Sequence, residues 1–269
     1  MVIKHTDAKM EAGGTVRNFW ITDEIQADGE AFNWDTYRWE KVESTTSQSY
    51  FVNNLNGLGP GDRVNLYINS MGGSVKEALG IYSVLRRCPA TVYAYIDGFA
   101  ASAASVIAMA GEKIIMPRNT AMMIHNAAWW DYGNPAQLRK SADDLEVINM
   151  AAIQSYTMHA GDKLPKDKLQ QMLDDETWLT AEECVTYGLA DEFGESEVNV
   201  STSAAQFQTA AQSAKGPMAR MFQNVPAFLK DHISAPPVQQ SPIQQPQAKE
   251  PEKPSGIFKL LESMTKMEE

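Results

Sequence analysis

The chain has 269 residues, 43% hydrophobic and 21% charged, and its 34 Asp and Glu outnumber 23 Lys and Arg to give a net charge of −11. Contact with nucleic-acid phosphates needs clustered Lys and Arg, so this composition argues against direct nucleic-acid binding. No run of about 18 apolar residues occurs, so no membrane-spanning helix is expected, while the length allows one large domain or two small ones.

The first fourteen residues, M-V-I-K-H-T-D-A-K-M-E-A-G-G, carry no apolar signal core. Residues 1–17 are polar and are expected to be mobile. Alternating strand and helix signals then run over 18–195. They open with Phe19-Trp-Ile-Thr, which reads as a strand. The aromatic cluster Phe32, Trp34, Tyr37 and Trp39 follows as an unusual insertion, with core packing as the expectation and an exposed recognition surface as the alternative.

Residues 64–73, V-N-L-Y-I-N-S-M-G-G, form an apolar strand ending in a small polar and glycine turn. A helical pattern comes next, with Val75, Ala78, Leu79, Tyr82 and Leu85 on one face. Glycine pairs permit close backbone approach, so Gly72 and Gly73 can aim an N–H at a developing oxyanion; an ordinary strand-to-helix turn explains the pair equally well. A β-rich run, Thr91-Val-Tyr-Ala-Tyr-Ile96, leads into D-G-F-A-A-S-A-A-S-V-I-A-M-A-G over 97–111. This segment places Ser102 among very small residues at a strand-to-helix transition. There a hydroxyl lies near backbone N–H groups that the first helical turn leaves unpaired. Tight helix packing also favours Ala, Ser and Gly, so the segment alone leaves both readings open.

The base candidate is His125, at the end of the short apolar strand Thr120-Ala-Met-Met-Ile-His125. His5, His159 and His232 have weaker contexts: the terminus, the end of a long helical pattern and the start of a Pro/Gln-rich stretch. Asn134-Pro135 reads as a helix cap followed by a first-turn proline. The amphipathic pattern behind it reaches His159 and shows Leu138, Ala142, Leu145, Ile148 and Ala152 on one face. Thr180 and Glu183 form a T-x-x-E capping box. Cys88 and Cys184 lie in helix-associated segments without metal-ligand spacing, which fits a reducing cytoplasm, and no metal site or cofactor is expected.

N-S-M-G-G, G-F-A-A-S, M-I-H and E-T-W-L-T-A-E-E-C-V-T-Y-G-L-A-D, in that order from about Phe19 to Phe193, resemble the Clp protease proteolytic subunit family of serine peptidases. The resemblance implies an α/β fold of the Clp protease/crotonase-like type, a superhelix of repeated ββα units. It implies Ser102 as nucleophile, His125 as general base, and the N–H groups of Gly73 and Ala103 as the oxyanion hole. The family usually has aspartate where this chain has Glu176, so the resemblance implies Glu176 as the third triad member, with Asp174 and Asp175 as rivals; Ser-His-Glu arrangements also occur. A homo-oligomer acting on protein substrates is implied as well.

Beyond Glu195 the composition turns to Ala, Ser, Gln and Thr, and then to Pro and Gln over 235–254, which predicts a largely disordered low-complexity tail over 196–269. Ile257, Leu260, Leu261 and Met264 regain one helical face, readable as a short docking helix or a frayed tail. The tail, the aromatic insertion and the E-T-W-L-T-A-E-E form resemble the Clp-like head maturation proteases of tailed bacteriophages. That likeness implies capsid or scaffold proteins as substrates, in the host cytoplasm or inside the procapsid. Three alternatives stand beside it: a bacterial Clp-type subunit, a crotonase-like acyl-CoA enzyme and a non-catalytic assembly subunit. The chain shows no G-x-x-x-x-G-K-[ST] loop, so in the Clp-type reading an ATPase partner would supply any unfolding energy.

Overall fold

A computed structural model describes residues 5–10 and 13–194; the expectations for 196–269, including the C-terminal docking helix, and for His232 lie outside the described residues. The central sheet has seven strands: β1 (Thr6–Lys9), β2 (Thr15–Ile21), β5 (Arg63–Ser70), β6 (Thr91–Ala101), β7 (Lys113–Ile115), β8 (Ala121–Ile124) and β9 (Thr177–Thr180). Their order is β1-β2-β5-β6-β8-β9, with β7 also paired to β6. β2, β5, β6, β7 and β8 run parallel, while β1 and β9 are antiparallel to their neighbours.

β2, β5 and β6 each lead to a helix: α1 (Gln48–Asn54), α2 (Val75–Arg87) and α3 (Ala103–Ala108). α4 (Pro135–Ala160), α5 (Lys166–Asp174) and α6 (Ala181–Tyr187) complete the α/β architecture. Parallel sheets need both faces covered, so their strands read as near-continuous apolar runs. β8 fits this and is buried throughout, whereas along β5 and β6 burial alternates: Leu66, Ile68, Ala94 and Ile96 are buried on one face, and Tyr67, Tyr93 and Tyr95 are half-buried on the other. Phe19 stacks on Phe51 with centroids 4.9 Å apart, joining β2 to α1.

The sequence signals for helix ends are realised. Asn134 accepts from the N–H groups of Ala136 and Gln137 and forms a capping box with Gln137, and Thr180 and Glu183 form theirs. On α2 the buried side chains are Ala78, Ile81 and Leu85 together with Glu77, whereas Val75, Leu79 and Tyr82 are half-buried. Glu77 is buried because its Oε2 accepts from the N–H of Gln48 at the start of α1. On α4, Ala152 is buried, Leu145 and Ile148 are half-buried, and Leu138, Val147, Met150 and Met158 are exposed.

Two expectations need revision. The boundary at residue 17 falls inside β2, and Thr6–Lys9 pairs with Thr15–Asn18 at the edge of the sheet, so part of the segment expected to be mobile is strand. The aromatic insertion is not core: β3 (Gly29–Asn33) and β4 (Arg38–Val42) form a separate two-stranded hairpin. On it Trp34, Tyr37 and Trp39 are 76%, 75% and 68% exposed. Their rings pack edge-on around Phe32, at centroid distances of 4.9, 6.4 and 5.6 Å. The tip is held by Asn33 Oδ1, which accepts from the N–H groups of Asp35 and Thr36. Aromatic residues signal burial only when a core lies within reach, and this hairpin stands off the main sheet. Trp34→Ser should therefore shift unfolding free energy by no more than about 0.5 kcal/mol. Phe19→Ala, in the core, should cost about 3–5 kcal/mol in the same denaturant titration.

Candidate active site

The site is assembled by neighbouring strand ends. β6 is in register with β5 from Arg63↔Thr91 to Ile68↔Ile96, then shifts so that Ser70 meets Ala100. Past that irregularity its last residues pair with β8, Ala101 opposite Met123. The ladder continues one step further, the Ser102 N–H donating to the Met123 carbonyl at 2.8 Å. This brings Ser102 level with the end of β8, from which His125 projects, and Ser102 Oγ lies 2.7 Å from His125 Nε2.

Ser102 has φ 55° and ψ −127°, a backbone conformation that L residues avoid, between β6 and the first turn of α3. Such a conformation costs about 1–3 kcal/mol and persists only where its surroundings impose it. Close approach of the β5 turn is part of that imposition. Gly72 has φ 98°, and a Cβ there would lie 2.7 Å from Ala101 O and Ser102 Cβ. Gly73 has φ 145°, and a Cβ on it would collide with the backbone of Ile25. Ile25 donates to Gly72 O at 2.9 Å and accepts from Ser74 N–H at 2.7 Å. In this parallel bridge the bonds to Ile25 come from the residues on either side of Gly73. The N–H of Gly73 therefore points the other way, away from Ile25. Ala103 is the first residue of α3, where the helix itself leaves the N–H unused.

Gly73, Ser102, Ala103 and His125 line one cleft of about 350 Å³, whose remaining wall is largely apolar: Val106, Trp129, Leu145, Ile148 and Tyr156. The sequence reading did not place these wall residues in the site; Val106, Leu145 and Ile148 follow ordinary helical spacing, and only the fold turns them toward Ser102.

The register of β8 with β9 discriminates among the acidic candidates. Met123 faces Trp178 and Ile124 faces Thr177, so the next step sets His125 opposite Glu176. β8 lies between β6 and β9, so the backbone positions of Ser102 and Glu176 lie on strands to either side of the one that leads to His125. Glu176, immediately before β9, has φ 49°. Its charge acts on His125, although no direct hydrogen bond joins the two side chains. Asp174 is engaged elsewhere, accepting from Asn126 Nδ2 and Gln170 Nε2, both at 2.8 Å. Asp175 is exposed at the end of α5. The other described histidines are committed away from Ser102, His5 to the Tyr50 hydroxyl and His159 to Asp191. Both cysteines are free thiols, Cys184 buried. Among the described residues no group of three or more His, Cys, Asp or Glu could hold a metal ion, and no helix is long and apolar enough to cross a membrane.

A Clp protease family model matches residues 35–197. The chain belongs to the Clp protease family. The ATP-dependent Clp protease proteolytic subunit of Bacteroides fragilis is 32% identical over 141 residues, 51% of this chain and 67% of that one. Proteolytic subunit 2 of Thermobifida fusca is 31% identical over 132 residues, 48% of this chain and 64% of the relative. The chain thus spans about two thirds of each relative's length. In fold it is similar to a solved ClpP1 mutant from Listeria monocytogenes, with a TM-score of 0.52, 22% identity, and coverage of 67% of this chain and 92% of that one.

Burial lowers the pKa of His125, and the Glu176 charge partly opposes this. His125 should therefore titrate, by NMR of its ring protons, with a midpoint below the ordinary value of about 6.5. Removing the opposing charge in Glu176→Gln should move the midpoint lower still. An upward move in that variant would remove Glu176 from the imidazole's surroundings.

Proposed function

We propose that the chain is a serine endopeptidase that hydrolyses peptide bonds through Ser102, His125 and Glu176. The 2.7 Å contact between Ser102 Oγ and His125 Nε2, on a strained turn inside an apolar-walled cleft, carries the reading. With its pKa lowered, His125 is neutral at working pH and able to take the hydroxyl proton on Nε2. Ser102 Oγ attacks the substrate carbonyl, and the N–H groups of Gly73 and Ala103 stabilise the oxyanion. The imidazolium, held by the Glu176 charge, returns the proton to the leaving amine; water then takes the amine's place and frees Ser102 by the same steps. A crotonase-like enzyme has no need of the serine–histidine contact, and a non-catalytic subunit has no need of the strain at Ser102.

Within this activity, the reading we favour is head maturation in a tailed bacteriophage, with capsid or scaffold proteins cut during procapsid assembly. The exposed aromatic hairpin and the Ala/Gln and Pro/Gln stretches after residue 195 support it. The relatives' designation as ATP-dependent proteolytic subunits supports a second reading, in which an ATPase partner delivers unfolded chains. Cleavage of assembled capsid or scaffold protein by the purified chain without ATP favours the first; cleavage only with an unfoldase and ATP favours the second. In both, the chain forms a homo-oligomer in the cytoplasm. Val147, Met150 and Met158, exposed along the 26-residue α4, support that assembly, and a light-scattering mass of a monomer at active concentrations would contradict it.

Ser102→Ala and His125→Ala should each lower peptide hydrolysis by about 10⁴-fold or more while circular dichroism stays unchanged. A fluorophosphonate probe should label wild type and not Ser102→Ala. Wild-type turnover by folded Ser102→Ala would refute the assignment.

A further inference from the structure

Behind the cleft lies a chain of hydroxyl groups that the serine–histidine pair does not use. Ser105 Oγ is 2.6 Å from the Ser102 carbonyl oxygen and 2.7 Å from the Tyr156 hydroxyl. Ser105 is 0% exposed and Tyr156 1%, so these contacts satisfy groups that water does not reach. A carbonyl only accepts, and a serine hydroxyl has one proton. Ser105 therefore donates to Ser102 O, and Tyr156 must donate to Ser105. Burial raises the Tyr156 pKa, so the phenol keeps its proton at any working pH. The Ser105 backbone N–H donates to the same carbonyl at 3.0 Å, and two donors from one residue converge on it.

That carbonyl shares a peptide with the Ala103 N–H. A trans peptide is planar, with its C=O and N–H pointing in opposite directions, so fixing one fixes the other. Helical geometry does not set the tilt of this plane, because Ser102 at φ 55° and ψ −127° lies outside the helical region. We infer that Tyr156 and Ser105 are positioning residues that hold the 102–103 peptide plane so that the Ala103 N–H faces the oxyanion. Donors on the carbonyl also polarise the peptide and strengthen its N–H as a donor. Tyr156 acts through Ser105, linking the last turns of α4 to the nucleophile's own peptide. The inference rests on the serine peptidase reading and adds two residues whose hydroxyls act through the 102–103 peptide, although the Tyr156 ring also lines the cleft.

The test uses the full chain, a short peptide substrate and a peptidyl boronate that forms a tetrahedral adduct. Loss of one oxyanion donor costs about 10²–10³ in kcat, and a misaimed donor costs less. Ser105→Ala should lower kcat about tenfold, leave KM within about twofold, and weaken the boronate by the same factor as kcat/KM. Tyr156→Phe, which removes only the hydroxyl, should give a smaller loss of about threefold with the same pattern. Because the two act in series, the double variant should be no worse than Ser105→Ala alone. If kcat and boronate affinity stay at wild-type values in folded variants while the melting temperature falls, the pair is only structural and the inference is overturned. Additive losses in the double variant overturn the series link. If Ser105→Ala does not fold, Tyr156→Phe decides by its kcat and boronate affinity. Absence of fluorophosphonate labelling at Ser102 in wild type would instead refute the peptidase reading, and this inference with it.

Discussion

Everything proposed for this molecule depends on the register in which β6, β8 and β9 lie side by side. A one-residue slip in a strand turns every side chain to the opposite face. Here the register sets Ala101 opposite Met123 and Ile124 opposite Thr177. Those pairings put a serine, a histidine and a glutamate at three adjacent strand ends. The neighbouring β5 ends in the Gly72–Gly73 turn, so four adjacent strand ends carry the residues of the proposed reaction centre. The buried apolar face of β5 and β6 and the fully buried β8 hold that register, and the geometry of the site follows from the core.

The same arrangement explains where strain is tolerated. Ser102 and Glu176 are two of the three described non-glycine residues with positive φ, one where β6 ends and the other where β9 begins. Each is held by neighbours that leave no easier conformation. Ser102 is bonded through its N–H to β8 and through its carbonyl to Ser105, and Gly72 lies flat against it. Glu176 follows the last turn of α5, its N–H donating to Leu173 O at 3.2 Å, before β9 enters the sheet.

Much of this was legible in the sequence because its signals are local. The small-residue run around Ser102, the glycine turn after β5, the strand before His125 and the caps at Asn134 and Thr180 each lie within a few residues of the feature they specify. The order of the motifs carried the family. Pairings set by tertiary register were not legible. The motif beginning at Glu176 marked that residue rather than Asp175, but no local pattern encodes the pairing that sets β9, which begins only at Thr177, beside β8. Tyr156 reads as one more apolar position on an amphipathic helix until the fold brings its hydroxyl to Ser105. The aromatic insertion misled for the opposite reason: Trp34, Tyr37 and Trp39 have the composition of a core, yet the hairpin that carries them has no second layer to pack against.

The most direct measurement is a crystal structure of the chain with a peptidyl boronate bound. The account predicts boron bonded to Ser102 Oγ, one boronate oxygen within hydrogen-bond distance of the Gly73 and Ala103 nitrogens, and His125 Nδ1 facing the Glu176 carboxylate. Boron on another residue, or an imidazole paired with Asp174 or Asp175, would contradict it.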